Sequence, residues 1–247
     1  MKIMRSIGLL LLTLVCASAQ AQISTEICGT LRNGFGPFDY RADHQKPSPL
    51  NMSYSEKRIL VEGAHFTARV EAGIGSESNE RNGPAGGDID YTLRAFPNNH
   101  RALIAVMRLG EMQKSDKPIG LKWVIECYME RAIRFASDDP IVRIIYSTFL
   151  AKKNRMPEAI EQLDQASKLA ENNGFTHYNI GLTFFDLKRY DKALVSAHRA
   201  MAVGFERNEL AEKLKAAGQW REPEAAEADA AASSASAAAS VAEPAKP

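Results

Sequence analysis

A repeat with a period of 34 residues is the feature that most restricts the fold of this chain. Ala132, Ala166 and Ala200 follow one another at that spacing. Further pairs at the same offset are Ser147 with Gly181, Leu150 with Phe184, and Ala159 with Ala193. A period of this length is typical of stacked helical hairpins, because each hairpin leaves one face unburied until the next packs on it. The sequence therefore predicts an all-α fold in which helical hairpins form an α-α superhelix.

The clearest unit extends over residues 174–206. Its small residues Gly181, Ala193 and Ala200 lie where the two helices of a hairpin would cross, and helix axes approach to ~8–10 Å only where the side chains between them are small. Larger apolar residues fill the remaining space: Ile180, Phe184, Leu187, Tyr190 and Leu194. This pattern resembles the tetratricopeptide repeat (TPR) family, and the resemblance implies a TPR-like superhelix that binds a protein or peptide partner.

The pattern weakens toward the amino terminus. The preceding unit has small and apolar residues at the matching positions, but Arg143 lies where a large aromatic residue is usual. About three to four hairpins are expected in all. The predicted division is degenerate hairpins at 55–139 with a polar loop at 73–87, two TPR-like repeats at 140–205, and a capping helix at 206–220.

Within the degenerate hairpins, apolar positions predict one helix over about 55–72 and another over 88–96. Asp88 is interpreted as the N-cap of the second of these helices. The loop between them is rich in Gly, Ser, Glu and Asn, and its composition predicts disorder.

Both ends of the repeat region are expected to lack regular structure. The amino-terminal segment, 22–54, contains Gly and Pro residues that prevent a helix of any length. Its aromatic residues at 35–40 would be costly in water, so we expect this stretch to pack across the repeats, either in the concave face or over the amino-terminal edge. The carboxy-terminal tail, 221–247, is rich in Ala, Ser, Glu and Pro and is predicted to be disordered.

Residues 1–21 have the pattern of a secretory signal peptide. Two basic residues precede the apolar run Ile7–Val15, and small residues lead to a cleavage position after Ala21 or two residues earlier. The run is too short for a stable membrane anchor. Cys16 follows a valine, where a bacterial lipoprotein signal requires a small residue. We therefore expect an exported protein, periplasmic or otherwise secreted, without a membrane span.

Removal of the signal peptide would leave two cysteines, Cys28 and Cys127. In an oxidising compartment two thiols more often pair than stay free, which predicts a disulfide between them. The alternative is that Cys127 is a lone buried residue, because single cysteines are often found in protein cores.

The charge balance argues against nucleic acid or an anionic membrane surface as a partner. The chain has a formal net charge of +1, and loss of Lys2 and Arg5 with the signal peptide would bring it to −1. A charge this close to zero gives no electrostatic reason for phosphate binding.

The sequence contains no motif typical of catalysis or of cofactor binding. It lacks a His-Glu-x-x-His helix, a Gly-x-Ser-x-Gly turn and a phosphate-binding Gly-rich loop ending in Lys-Ser/Thr. The best candidate group for a metal ion is His65, Asp88, Asp90 and His100, whose side chains suit zinc or another divalent cation. Nothing in their spacing requires these four to converge, so we predict no metal site, no cofactor and no enzymatic activity.

Two classes of function remain open. One is an exported TPR-like adaptor or scaffold, and the other is an enzyme or metal-binding protein with its site in the non-repeat segment 28–98. For the adaptor, the resemblance to TPR proteins implies that the first helix of each unit lines the binding groove. The side chains so implicated are Phe175, Tyr178, Leu182, Phe185 and Asp186 in one unit, and Ile144, Thr148 and Lys152 in the other. These aromatic rings could instead be covered by the 35–40 segment or by the capping helix.

Overall fold

The computed structural model describes residues 27–42, 52–78 and 81–223. Within these ranges the chain is mainly helical, with ten helices and one short two-stranded antiparallel hairpin. The helices pack in neighbouring pairs, which confirms the predicted all-α class. The predicted signal peptide at 1–21 and nearly all of the predicted tail at 221–247 lie outside the described residues.

Two compact units make up the chain, Met1–Ser137 and Asp138–Pro247. The elements of the first unit are α1 (Tyr54–His65), α2 (Ala68–Glu71), β1 (Ser76–Ser78), β2 (Arg81–Gly83), α3 (Ala85–Ala95), α4 (His100–Gln113) and α5 (Ile125–Phe135). Those of the second unit are α6 (Pro140–Lys152), α7 (Met156–Leu169), α8 (Gly174–Asp186), α9 (Tyr190–Ala202) and α10 (Glu209–Ala216).

The helix predicted over 55–72 is two helices in the structure. The backbone leaves the α-helical conformation at Phe66, and the Thr67 hydroxyl accepts a hydrogen bond from the Val70 N–H at the start of α2. Threonine at an N-cap satisfies a backbone donor that the helix itself leaves unpaired. The prediction of one continuous helix was therefore wrong.

The polar loop that follows contains a structured hairpin. Strands β1 and β2 pair antiparallel, although the two residues between them are not described. Gly75 has a φ of 96°, and a Cβ at this position would lie 2.7 Å from the Gly83 carbonyl oxygen, so glycine permits this close approach. Because α3 begins at Ala85, Asp88 lies within its first turn and the predicted N-cap role was wrong.

The two hairpins of the second unit share their local geometry at an offset of 34 residues. Asp139 caps α6 and Asn173 caps α8, each by accepting a hydrogen bond from a backbone N–H two or three residues later at 2.9–3.0 Å. Asn154 and Lys188, also 34 residues apart, adopt positive φ values of 60° and 58° in the turns between paired helices. The period seen in the sequence therefore corresponds to repeated caps and turns.

A single core cluster connects all five helices of the second unit. Gly181 on α8 lies at the crossing with α9, where an added Cβ would be 3.1 Å from the Ser196 Cβ and 3.4 Å from the Ala193 carbonyl oxygen. The same Cβ would also overlap with Leu210 on α10, because it would lie only 2.4 Å from Cδ2, closer than van der Waals contact allows. Glycine therefore allows both neighbouring helices to pack closely on α8.

Candidate partner-binding face

The eight residues that the sequence implicated in binding lie on two helices of the second unit, α6 and α8. Helix α6 packs on α8, and α10 packs on α8 and on α9. We call the surface of α6 and α8, with α10 packed on α8, the first-helix face. Its residues differ widely in exposure.

The aromatic residues at the beginning of α8 have opposite environments. Phe175 is 52% exposed, whereas Tyr178 is only 3% exposed. Both rings lie against Phe205, with ring centroids 6.1 Å and 5.2 Å from it. Phe175 is therefore an accessible aromatic residue on a preformed apolar base.

Tyr178 is covered by the capping helix. Its hydroxyl donates a hydrogen bond to Oε2 of Glu209 at 3.0 Å, and burial together with this bond raises the pKa of the tyrosine. Leu210 and Leu214 of the same helix are fully buried in the core cluster that contains Tyr178. A partner could not touch this ring while α10 stays in place.

The end of α8 is partly open. Leu182 and Phe185 are half-buried against the core cluster. The Phe185 ring lies 5.3 Å from that of Tyr190, and Nζ of Lys213 on α10 lies 5.8 Å from the Phe185 ring centroid. Asp186 is exposed beside it. An apolar ring with charged neighbours is the composition expected at the edge of a binding patch.

On α6 the implicated residues extend the same face. Ile144 is buried in the core cluster, and Thr148 is half-buried with its hydroxyl donating to the Ile144 carbonyl oxygen at 3.1 Å. Lys152 is exposed at the end of the helix. Phe175, Asp186 and Lys152 are therefore the exposed members of the implicated set, and the assignment of the set to partner binding stays a prediction.

Sequence reasoning missed the contribution of Phe205 and Glu209 to this face. Phe205 ends the last unit, but the residue 34 positions earlier is Glu171, and Glu209 lies in the capping helix after the unit, so the period predicts neither contact. The only sequence signal was Gly174, since a Cβ there would lie 2.6 Å from the Phe205 Cβ. A glycine at a helix start is compatible with many structures, so this signal was too weak to use.

In the first unit, Cys28 and Cys127 form the predicted disulfide. Their Cα atoms are 5.0 Å apart, and both residues are buried. The bridge attaches the amino-terminal segment to α5. A link across 99 residues of sequence restricts the unfolded chain strongly.

The aromatic stretch at 35–40 packs within the first unit. Phe38 and Tyr40 lie with ring centroids 5.5 Å and 6.3 Å from that of Phe96, and the Phe38 N–H donates to the Ala95 carbonyl oxygen at 2.8 Å. Val61 of α1 completes this cluster. The stretch therefore covers α1 and the end of α3.

The four residues considered for a metal site do not converge. His65 Nδ1 and Asp88 Oδ1 are 2.8 Å apart, but Asp90 instead accepts hydrogen bonds from the Tyr128 hydroxyl and from Arg94. The His100 ring lies 5.8 Å from that of Tyr40. Within the described ranges, no three His, Cys, Asp or Glu side chains are placed to bind a metal ion together.

No protein-family model matches this chain, and no curated protein is significantly similar to it. Among the helices that the structure describes, none has the length and apolar character needed to cross a membrane.

Proposed function

We propose that this protein is an exported TPR-like adaptor that binds a protein or peptide partner on the first-helix face of its second unit. The observation that carries the proposal is Phe175, which is more than half exposed and rests on the half-buried Phe205. Exposed aromatic residues supported by a packed base are frequent hot spots of protein interfaces.

The membership of the TPR family is part of the same proposal. It is supported by the 34-residue offset between caps, turns and crossing residues of the two hairpins in the second unit. The side-by-side packing of α6 and α8 is the arrangement that a stack of such hairpins requires.

Export is supported by the signal-like pattern at 1–21 and by the buried Cys28–Cys127 bridge. Disulfides persist mainly in oxidising compartments. Amino-terminal sequencing of the protein recovered from its native compartment tests this, and the expected first residue is Gln20 or Gln22. A retained Met1 would contradict the proposal of a cleaved signal.

The binding face is tested by quantitative affinity capture and mass spectrometry with three forms of the protein. We expect Phe175→Ala to capture much less of the partner than the unchanged chain does. Val195→Ala is the matched control, because Val195 is 43% exposed but lies on the second helix of the same hairpin. Equal loss of the partner in both variants would contradict the assignment of binding to the first-helix face.

The enzyme or metal-binding alternative has a simple test of its own. Elemental analysis of the purified protein would detect a bound transition metal at about one equivalent per chain if the His65–Asp88 region held one. We expect no stoichiometric metal, because the side chains of these two residues form a hydrogen bond with each other at 2.8 Å.

A further inference from the structure

His177 is a buried ionisable side chain at the start of α8. It is 4% exposed, and its Nε2 atom lies 2.7 Å from the carbonyl oxygen of Glu171. Because a carbonyl oxygen can only accept a hydrogen bond, Nε2 carries a proton and is the donor. The other ring nitrogen, Nδ1, is buried and has no hydrogen-bond partner within the described chain. This site therefore fits the neutral ring with its proton on Nε2.

The bond from His177 holds a turn with an unfavourable backbone conformation. Glu171 follows the end of α7 and has a φ of 45°, in the left-handed region that residues with a Cβ seldom adopt. Glycine is the usual residue where a helix ends in this way. The turn also contains a hydrogen bond from the Asn173 N–H to the Ala170 carbonyl oxygen at 2.9 Å. A side-chain donor on the Glu171 carbonyl group therefore stabilises a turn that its own sequence disfavours.

A second proton on His177 would enter an unfavourable environment. The charged ring would carry an N–H at Nδ1, which has no acceptor in the described chain. Burial lowers the pKa of His177 below its ordinary value, the bond to the Glu171 carbonyl oxygen acts to raise it, and the positive charge of Arg199 on α9 lowers it further. The charged ring gains hydration only by leaving the core, and leaving breaks the bond to Glu171.

Other charged side chains on the helices packed against α8 have partners of their own. These pairs are Asp164 of α7 with Lys192 of α9, Glu209 of α10 with Tyr178, and Arg143 of α6 with Gln162 of α7. Among the described residues, Arg199 is the one whose side-chain charge acts on the pKa of His177. The ring thus has no carboxylate beside it that would stabilise the charged form.

The same turn positions the exposed aromatic residue of the first-helix face. Phe175 lies in the first turn of α8, two residues before His177, and its ring contacts that of Phe205. The backbone at Gly174 is also close to Phe205, because an added Cβ would lie 2.6 Å from the Phe205 Cβ. Opening of the turn would therefore move the Phe175 ring away from its apolar base.

We propose that the bond between His177 and Glu171, which we call the His177 latch, makes the turn between α7 and α8 open in acid. The neutral ring holds the turn closed, and a second proton on the ring releases it. Acid would then also weaken binding by the first-helix face. That consequence rests on the proposed function, whereas the latch itself does not depend on whether a partner binds.

Amide hydrogen exchange of the full chain, measured by NMR at about pH 7.5 and about pH 5.5, tests the latch. Protection factors remove the intrinsic effect of pH on exchange. The amides of Asn173 and Thr176 report on the turn, and those of Val195 and Ala197 report on α9. An open turn with an ordinary histidine pKa of about 6.5 predicts that protection of the turn falls by up to about tenfold between the two pH values. Protection of α9 should fall much less.

Three variants separate the proton from the hydrogen bond. His177→Gln keeps an N–H donor for the Glu171 carbonyl oxygen but does not titrate, so protection of its turn should not fall in acid. Arg199→Gln should make the fall smaller, because it removes the charge that repels the second proton. His198→Gln removes the neighbouring histidine on α9 and is the matched control, in which the fall should be unchanged.

The pKa of the His177 ring in the unchanged chain, measured by NMR titration, is an independent test that needs no variant. We expect it to lie below the ordinary value of about 6.5. A pKa at or above that value would overturn the proposal. So would an equal fall of turn protection in a folded His177→Gln variant, or an equal fall for the turn and for α9 in the unchanged chain.

Discussion

Arg131 on α5 donates a hydrogen bond to the carbonyl oxygen of Cys28 across 3.0 Å. The same guanidinium nitrogen lies 2.6 Å from the Thr30 carbonyl oxygen, and the group stacks 4.2 Å from the ring centroid of Trp123. Burial lowers the pKa of this arginine, and a nearby Arg134 lowers it further. The amino-terminal segment is thus held to α5 by a buried cation as well as by a disulfide.

Replacement of Arg131 by Met should destabilise the first unit by roughly 1–3 kcal/mol, because it leaves buried carbonyl oxygens without donors. Trp123 is one of two tryptophans in the chain, so its fluorescence in a Trp220→Phe background reports unfolding of this unit. Arg108→Met, on the exposed side of α4, is the control and should change the free energy of unfolding by less than about 0.5 kcal/mol. Similar values for both variants would contradict a structural role for Arg131.

The Cys28–Cys127 bridge should appear as a linked pair of peptides in non-reducing peptide mapping. In the chain-entropy model a closed loop of about 100 residues contributes about 4.7 kcal/mol, so the double variant with Ala at both positions should be strongly destabilised. Because a disulfide has no free thiol, alkylation without a reductant should modify neither cysteine, even in denaturant that exposes both. Two thiols that react in the native protein would contradict the bridge.

The second unit could be predicted from sequence in more detail than the first. The small residues at the crossing of α8 and α9 repeat with the period, so a local pattern was sufficient to place them. Cover of the α8 rings by the capping helix is one of the two alternatives that the sequence leaves open, but the contacts of Phe205 and Glu209 with Tyr178 could not be predicted, because neither residue has a matching residue at the 34-residue offset. In the first unit, the helix breaks at Thr67 because the side chain of this residue caps a new helix. A pattern of apolar positions does not show where a capping side chain ends one helix and starts the next.

Gly181→Leu should destabilise the second unit by roughly 1–3 kcal/mol or more, because leucine would force α9 and α10 away from α8. A Cβ alone would already lie 2.4 Å from Leu210 Cδ2. Trp220 packs against the core of this unit, so its fluorescence in a Trp123→Phe background reports the unfolding of the unit. The control is Ala202→Leu, at the end of α9. Gly204 does not serve as a control position, because its positive φ would itself strain a leucine. Unchanged unfolding of Gly181→Leu would falsify the helix packing described for this hairpin.

Asp39 should make the first unit sensitive to acid. Burial acts to raise the pKa of this carboxyl, but hydrogen bonds from Arg41 and Asn98 outweigh it and lower the pKa to about 2. A depressed pKa means that the stabilisation is present above the unfolded value of about 4 and is lost as the pH falls toward 2. Asp39→Asn keeps a side-chain acceptor for Asn98 but does not titrate. The fall in the free energy of unfolding between pH 4 and pH 2 should therefore be smaller in this variant, and an equal fall in both proteins would contradict the role of Asp39.

Truncation of Tyr178 should lower the free energy of unfolding far more than truncation of Phe175, although both residues were predicted to contact the partner. Tyr178→Ala removes a buried ring and the hydrogen bond to Glu209, so we expect a loss of about 3–5 kcal/mol in the free energy of unfolding. Phe175→Ala removes a ring that is more than half exposed, so we expect a change of no more than about 0.5 kcal/mol. Urea unfolding of both variants measures the difference. If Tyr178→Ala were as stable as the unchanged chain, α10 would not cover this ring in solution, and Tyr178 would join Phe175 as an accessible aromatic residue of the first-helix face.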